Sequence, residues 1–153
     1  MELAAREPSR VTALVLAAPT GDRRRKRRLR EAAGFIRDIP REPLTLVPWI
    51  ADAYLRAGVV RWLGTWWAGK RHDAFSAAER IEVPALVLVG DRDPVVSAGF
   101  AGGIADALPR GECRVIPGAA HAIIFDAAEA FNAAVLDFLE GIESGRKGLD
   151  RRT

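Results

Sequence analysis

The sequence predicts an α/β fold built on a short parallel sheet, because three apolar runs are separated by connections that suit parallel strands. The runs Val11–Ala18 and Pro84–Gly90 are almost continuously apolar, as expected for strands that are covered on both faces. A shorter run, Cys113–Pro117, alternates in polarity like an edge strand. A crossover of about two dozen residues precedes it, which is long enough to contain the helix that parallel strands need.

The length and composition indicate a single domain and do not point to a particular chemistry. The chain has 153 residues, of which 49% are hydrophobic, and its formal net charge is +3. The single cysteine, Cys113, excludes an intramolecular disulfide and fits a reducing compartment. The N-terminal residues contain no apolar stretch typical of a signal peptide, and no apolar run is long enough to cross a bilayer. We therefore expect a cytoplasmic protein with no metal and no cofactor.

Capping patterns predict the helices on either side of the third strand. Ser97 is well placed as the N-cap of a helix that runs through Leu108. Asp126 fits the N-cap of the last helix, with Glu129 at the capping-box position. Gly141 is expected to end that helix. The charged residues 142–153 are expected to form a flexible tail.

An acid and a histidine follow two neighbouring strands of this predicted sheet. The second strand leads into Asp91 and Asp93, and the third leads into His121. Ligands of open α/β sheets bind outside the carboxyl ends of the strands, so an Asp and His121 are expected to meet at that edge. Such a pair can form the acid–base half of a Ser-His-Asp triad.

These residues resemble the α/β-hydrolase superfamily. Its late strands carry Gly-x-x-Asp, present here as Gly90-Asp91-Arg92-Asp93, and a histidine before the last helix, present here as Gly118-Ala-Ala-His121. The lead-in Ile81–Pro84 and the tail Phe131–Leu139 are also similar to that family. The resemblance covers residues 3–18 and 81–141 and implies a partial α/β-hydrolase fold that contains the last three strands. It implies an esterase-like hydrolase acting on an ester or related bond of a small, apolar substrate.

The resemblance assigns the acid to Asp93 and the base to His121. Asp91 is the rival for the role of acid, although the Gly-x-x-Asp spacing and the following Pro94 favour Asp93. Taken singly, Asp93 could instead be a turn residue and His121 a loop residue beside the last helix. Their order along the chain fits the family order of nucleophile, acid and base.

The nucleophile of the family does not appear in this sequence, so whether it is a serine or an aspartate stays open. None of the serines at positions 9, 76, 97 and 144 lies in a Gly-x-Ser-x-Gly elbow. The resemblance places that elbow a few residues upstream of Met1, so the expectation is a truncated or late-started C-terminal part of a hydrolase, inactive alone. The alternative is a non-catalytic remnant that acts as a binding or interaction module. Self-association through the exposed edge of the first strand is also expected.

Residues 21–80 are predicted to form several helices between two strands, a connection that corresponds to the helical lid of the family. Within it, Trp62, Trp66 and Trp67 either form an apolar ceiling over the substrate or attach the lid to the body. The expected organisation is residues 1–20 as the end of a core helix and the first strand, 21–80 as lid, 81–141 as C-terminal core and 142–153 as tail.

The lid also contains a basic run, Arg23–Arg30, which raises the question of a nucleic acid or an anionic membrane as partner. No aromatic residue interleaves the run, and no nucleic-acid-binding module surrounds it. A solvated helical turn is the favoured interpretation. We therefore expect a small-molecule substrate and no nucleic-acid or membrane partner.

Overall fold

The computed structural model describes residues 1–20, 33–34, 37, 45–58, 60–61, 64–65 and 73–150. Its centre is a three-stranded sheet in the order β1-β2-β3, with both pairs parallel. The strands are β1 (Leu14–Ala17), β2 (Ala85–Gly90) and β3 (Gly111–Ile116). The predicted α/β fold with a short parallel sheet is confirmed; β1 and β2 lie within their predicted runs, whereas β3 begins two residues before the predicted run Cys113–Pro117.

The helices account for the remaining elements of the described chain. They are α1 (Glu2–Arg6), α2 (Leu46–Ala57), α3 (Ala74–Ala78), α4 (Ala98–Ala107), α5 (Ile123–Asp126) and α6 (Ala128–Asp150), and a short 3-10 helix spans Pro8–Arg10. Helix α4 forms the crossover from β2 to β3 and packs on both strands. No helix among the described residues is both long and apolar enough to span a membrane.

The central strand β2 is buried along its whole length because both of its faces are covered. Its alternate residues Val87 and Val89 join one core cluster, to which α4 contributes Ile104. Leu86 and Leu88 face the opposite cluster, where α5 and α6 pack. This burial explains why β2 is an unbroken apolar run without alternation.

The last helix differs from its predicted form at both ends. The prediction that Asp126 is its N-cap is wrong, because Asp126 ends α5 and its carboxylate accepts a hydrogen bond from the Ala120 amide. The prediction that Gly141 ends it is also wrong, since α6 continues to Asp150 and includes much of the expected tail. Ile142 packs against the second core cluster, which offsets a helical glycine's cost of about 1 kcal/mol.

The described part of segment 21–80 is helical, as α2 and α3 show. The three tryptophans Trp62, Trp66 and Trp67 and the basic run Arg23–Arg30 lie outside the described residues. Their predicted roles therefore stay predictions.

The N-cap predicted at Ser97 is confirmed, because its Oγ accepts a hydrogen bond from the Phe100 amide at 3.2 Å. Replacing this oxygen removes one of two acceptors of the Phe100 amide, whose other acceptor is the Ser97 carbonyl at 2.9 Å. We expect Ser97→Ala to lower the free energy of unfolding by about 1 kcal/mol in urea denaturation. Ser9→Ala is the matched control, because Ser9 is exposed and is not a helix N-cap; its effect should stay within about 0.5 kcal/mol. Equal effects of the two changes would contradict the capping role.

Candidate active site

An aspartate and a histidine from separate loops are joined by a hydrogen bond at the carboxyl edge of the sheet. The Nδ1 atom of His121 lies 2.9 Å from Oδ2 of Asp93. The side chain of Asp93 is fully buried, and that of His121 is 20% exposed. The predicted convergence of these two residues at one edge of a parallel sheet is therefore confirmed.

Backbone amides at the start of the crossover to α4 hold the carboxylate of Asp93. Its second carboxylate oxygen, Oδ1, accepts hydrogen bonds from the amides of Val95 and Val96 at 2.7 and 2.8 Å. A buried carboxylate requires such partners, and bonds from amides to an ionised group are stronger than neutral ones. The carboxylate is thereby fixed in orientation, with Oδ2 directed at the imidazole.

The rival acid, Asp91, has a different partner. Its Oδ1 accepts a hydrogen bond from the amide of Gly118 at 2.7 Å, and Asp91 is an exposed residue. Asp93 contacts the ring of His121, whereas Asp91 contacts the backbone of the loop that carries it. Of the two aspartates, Asp93 is therefore the one whose carboxylate is hydrogen-bonded to the imidazole.

The loop that carries His121 packs directly on the end of β2. The carbonyl of Ala119 accepts a hydrogen bond from the amide of Arg92 at 3.0 Å. At Gly90, a Cβ atom would overlap the carbonyl groups of Ala119 and Ala120. Glycine is therefore required at the end of β2 by the close approach of another backbone.

The pair has the arrangement of an acid that orients a base. A carboxylate oxygen only accepts hydrogen bonds, so its contact favours the tautomer in which Nδ1 carries the proton. Proton transfer to or from a reacting group would then go through Nε2, the other ring nitrogen. This is the chemical capacity of the acid and base of a triad.

The thiol of Cys113 is not suited to the role of nucleophile. Burial raises the pKa of this thiol, and the nearby Asp106 carboxylate raises it further. Both effects lower the fraction of reactive thiolate at neutral pH. The side chain packs against the core cluster beside Val87, as a small apolar residue does.

A cavity of about 840 Å³ lies at the opposite end of the sheet from the acid–base pair. Thr12, Pro84 and Arg110, which line it, each lie before the first residue of a strand. Asp93 and His121 instead follow the ends of their strands. The cavity is therefore separate from the candidate active site.

No family model matches the chain, and no curated protein matches it significantly. Solved structures do match. Rv0554 from Mycobacterium tuberculosis is 26% identical with a TM-score of 0.60, over 92% of this chain and 60% of the other. MGS-M2, an α/β-hydrolase enzyme from a Medee basin deep-sea metagenome, is 18% identical with a TM-score of 0.68, over 91% and 60%. MenH from S. aureus is 17% identical with a TM-score of 0.65, over 92% and 63%.

These matches show that the chain has the fold of the C-terminal part of an α/β-hydrolase. The chain spans about three fifths of the length of the solved structures that it matches. The fold resemblance inferred from Gly90–Asp93 and Gly118–His121 is thereby confirmed. The roles of the individual side chains rest on the geometry described above.

The contact at Gly90 leads to a paired test. Gly90→Ala should push the loop of His121 away from β2 and lower the free energy of unfolding by about 1–3 kcal/mol, because the added methyl group meets backbone atoms. Gly102→Ala is the control, since Gly102 lies inside α4 with nothing within 4 Å of the added atom; it should raise stability by about 0.5–1 kcal/mol. Urea denaturation measures both changes. A Gly90→Ala variant as stable as the parent would contradict the close packing of the loop.

Proposed function

We propose that this chain supplies the acid–base half of the catalytic triad of an α/β-hydrolase. Asp93 is the proposed acid and His121 the proposed base. The observation that carries the proposal is their 2.9 Å contact, made at the carboxyl edge where ligands of α/β sheets bind. The α/β-hydrolase fold supports the assignment, because its triad presents an acid and a histidine in this order along the chain.

In the proposed reaction His121 acts through Nε2. It accepts the proton of the nucleophile's hydroxyl as this oxygen attacks the carbonyl carbon of the substrate, and it then donates that proton to the leaving group. Asp93 holds the Nδ1–H bond throughout, and it stabilises the imidazolium that forms between the two transfers. The proposed substrates are small molecules with an ester or related bond.

We propose that the nucleophile and the oxyanion-hole donors come from sequence outside these 153 residues. The four serines of this chain lack the Gly-x-Ser-x-Gly context, and the hydroxyl of Ser97 is engaged as the N-cap of α4. An acid and a base without a nucleophile do not sustain acyl transfer. The 153-residue chain alone is therefore proposed to lack esterase turnover.

The substrate is proposed to be apolar. Trp62, Trp66 and Trp67 give the lid segment three large aromatic side chains within six residues, which suits a ceiling over an acyl chain or ring. This part of the proposal rests on the sequence. The proposed acid–base pair is argued separately, from the contact between Asp93 and His121.

The function can be tested in a protein that joins this sequence to its Gly-x-Ser-x-Gly segment. Asp93→Asn should lower kcat for p-nitrophenyl butyrate by about four orders of magnitude, because the amide favours the wrong tautomer of His121. His121→Ala should lower kcat to a similar extent. Asp106→Asn is the control, since it changes an exposed carboxylate of α4 that does not contact the pair.

A fluorophosphonate probe gives a second readout. It should label the longer protein and leave the 153-residue chain unlabelled. Ester hydrolysis by the 153-residue chain alone would contradict the proposal, and so would an Asp93→Asn variant with full kcat. Turnover lost equally in Asp106→Asn would show a general loss of folding instead of a catalytic role.

The outer edge of β1 is the proposed site of further strand pairing. Among the described residues β1 pairs with β2 alone, and at the two ends of this pairing the amides of Leu14 and Ala18 donate to the carbonyls of Pro84 and Leu88. Amide groups alternate in direction along a strand, so those of Val15 point away from β2. In the complete hydrolase we propose that another strand pairs here. In the 153-residue chain, a second copy is the proposed occupant.

Self-association should then be blocked by a charge on this edge. Ala17 is exposed at the end of β1, and Ala17→Lys places an ammonium group where a second strand would pair. Ala133→Lys adds the same charge at an exposed position of α6 and is the matched control. Light scattering after size exclusion should show a dimer or larger species for the parent and the control, and a monomer for Ala17→Lys. A monomeric parent at all concentrations would refute the proposal.

A further inference from the structure

Two carboxylates other than Asp93 hold the loop that carries His121. Oδ1 of Asp91 accepts a hydrogen bond from the Gly118 amide at 2.7 Å. Oδ2 of Asp126 accepts one from the Ala120 amide at 2.5 Å. Both donors are loop amides close to the histidine, and both aspartates belong to exposed residues. Water can solvate the carboxylate of an exposed aspartate, so burial of charge does not require these two bonds.

The two bonds hold the loop from different elements. Asp91 follows β2 and therefore attaches the loop to the sheet, whereas Asp126 ends α5 and attaches the loop to the helix that comes after it. Between the two donor amides lies Ala119, whose carbonyl accepts from the amide of Arg92. The three residues before His121 are thus hydrogen-bonded to residues that follow β2 and to the last residue of α5.

The contact of His121 with Asp93 depends on where this loop lies. Hydrogen bonds weaken steeply once donor and acceptor separate beyond about 3.5 Å, so a 2.9 Å contact tolerates a shift of only about half an ångström. The close packing at Gly90 limits how far the loop can approach β2, and the bond from the Arg92 amide to the Ala119 carbonyl holds the loop there. The two carboxylate–amide bonds add to this attraction, and bonds of this class are stronger than those between neutral groups.

We infer that Asp91 and Asp126 are positioning residues, which fix the loop so that Nδ1 of His121 meets the carboxylate of Asp93. This inference rests on the proposed function of Asp93 and His121 as acid and base. Asp91, considered above as a rival acid, instead holds the loop that carries His121. Asp126, predicted to be the N-cap of α6, instead binds that loop.

The test is a measurement of the His121 tautomer by ¹⁵N NMR of the labelled 153-residue chain, at alkaline pH where the ring is neutral. The His72→Gln background leaves His121 as the single histidine. The parent should show predominantly the Nδ1-protonated form. Asp91→Ala and Asp126→Ala should each lower the ratio of the Nδ1- to the Nε2-protonated form about tenfold, the effect of losing one charge-assisted bond.

Conservative and matched variants separate positioning from folding. Asp91→Asn and Asp126→Asn keep an oxygen that accepts from the same amides, so they should restore most of the ratio. Asp106→Ala removes an exposed carboxylate elsewhere and should leave the ratio unchanged. Protected amides of β2 in every variant show that the core is folded.

A measurement on the parent alone is independent of how the variants fold. The amides of Gly118 and Ala120 should exchange with solvent at least about tenfold more slowly than unbonded loop amides, because each is bonded to a carboxylate. Fast exchange of both amides would overturn the positioning role.

The possible failures are distinguishable. If the parent shows the Nδ1-protonated form and both Asp91→Ala and Asp126→Ala keep it unchanged, the positioning role alone is overturned. A parent without that form would overturn both the positioning role and the proposed acid–base pair.

Discussion

The parallel pairing of β2 with β3 is the constraint on which the candidate site depends. Gly90 at the end of β2 is paired with Ile116 at the end of β3, so the two strands leave the sheet side by side. Adjacent strands lie about 4.8 Å apart, and a turn of a few residues is enough to bring Asp93 and His121 into contact. Antiparallel pairing would send the two segments to opposite edges of the sheet. The apolar residues of β2 are buried between two parallel neighbours. This position of β2 brings Asp93 to the same edge of the sheet as His121.

Three aspartates around His121 differ in their surroundings. Asp93 has a fully buried side chain with two backbone amides on one oxygen and the imidazole on the other. In such a site of low polarity a hydrogen bond is stronger than in water, and an ion without partners is costly. Asp91 and Asp126 are exposed and bind only backbone amides of the loop.

The predictions that succeeded rest on patterns that are local to a strand or to a helix terminus. The three apolar runs gave the strands, and Ser97 gave the start of α4, because burial and capping depend on neighbours along the chain. Asp126 fits a capping box equally well in sequence, yet its carboxylate binds Ala120 in a loop that returns to it. Gly141 has the residue type of a helix end, yet Ile142 packs on the core and the helix continues. Both errors arise where tertiary contacts compete with local preference.

The described hydrogen bonds that set the geometry of the acid–base pair are made within the C-terminal core. Asp93, its amide donors, the loop of His121 and the end of β2 all lie between Ala85 and Asp126. Groups oriented in advance lower the reorganisation needed during proton transfer, so a pair of this kind is prepared before any nucleophile is present. Under the proposed function, selection among substrates would come from parts of the complete hydrolase outside this core. One fold could then serve many reactions, with the proposed base kept constant while its surroundings vary.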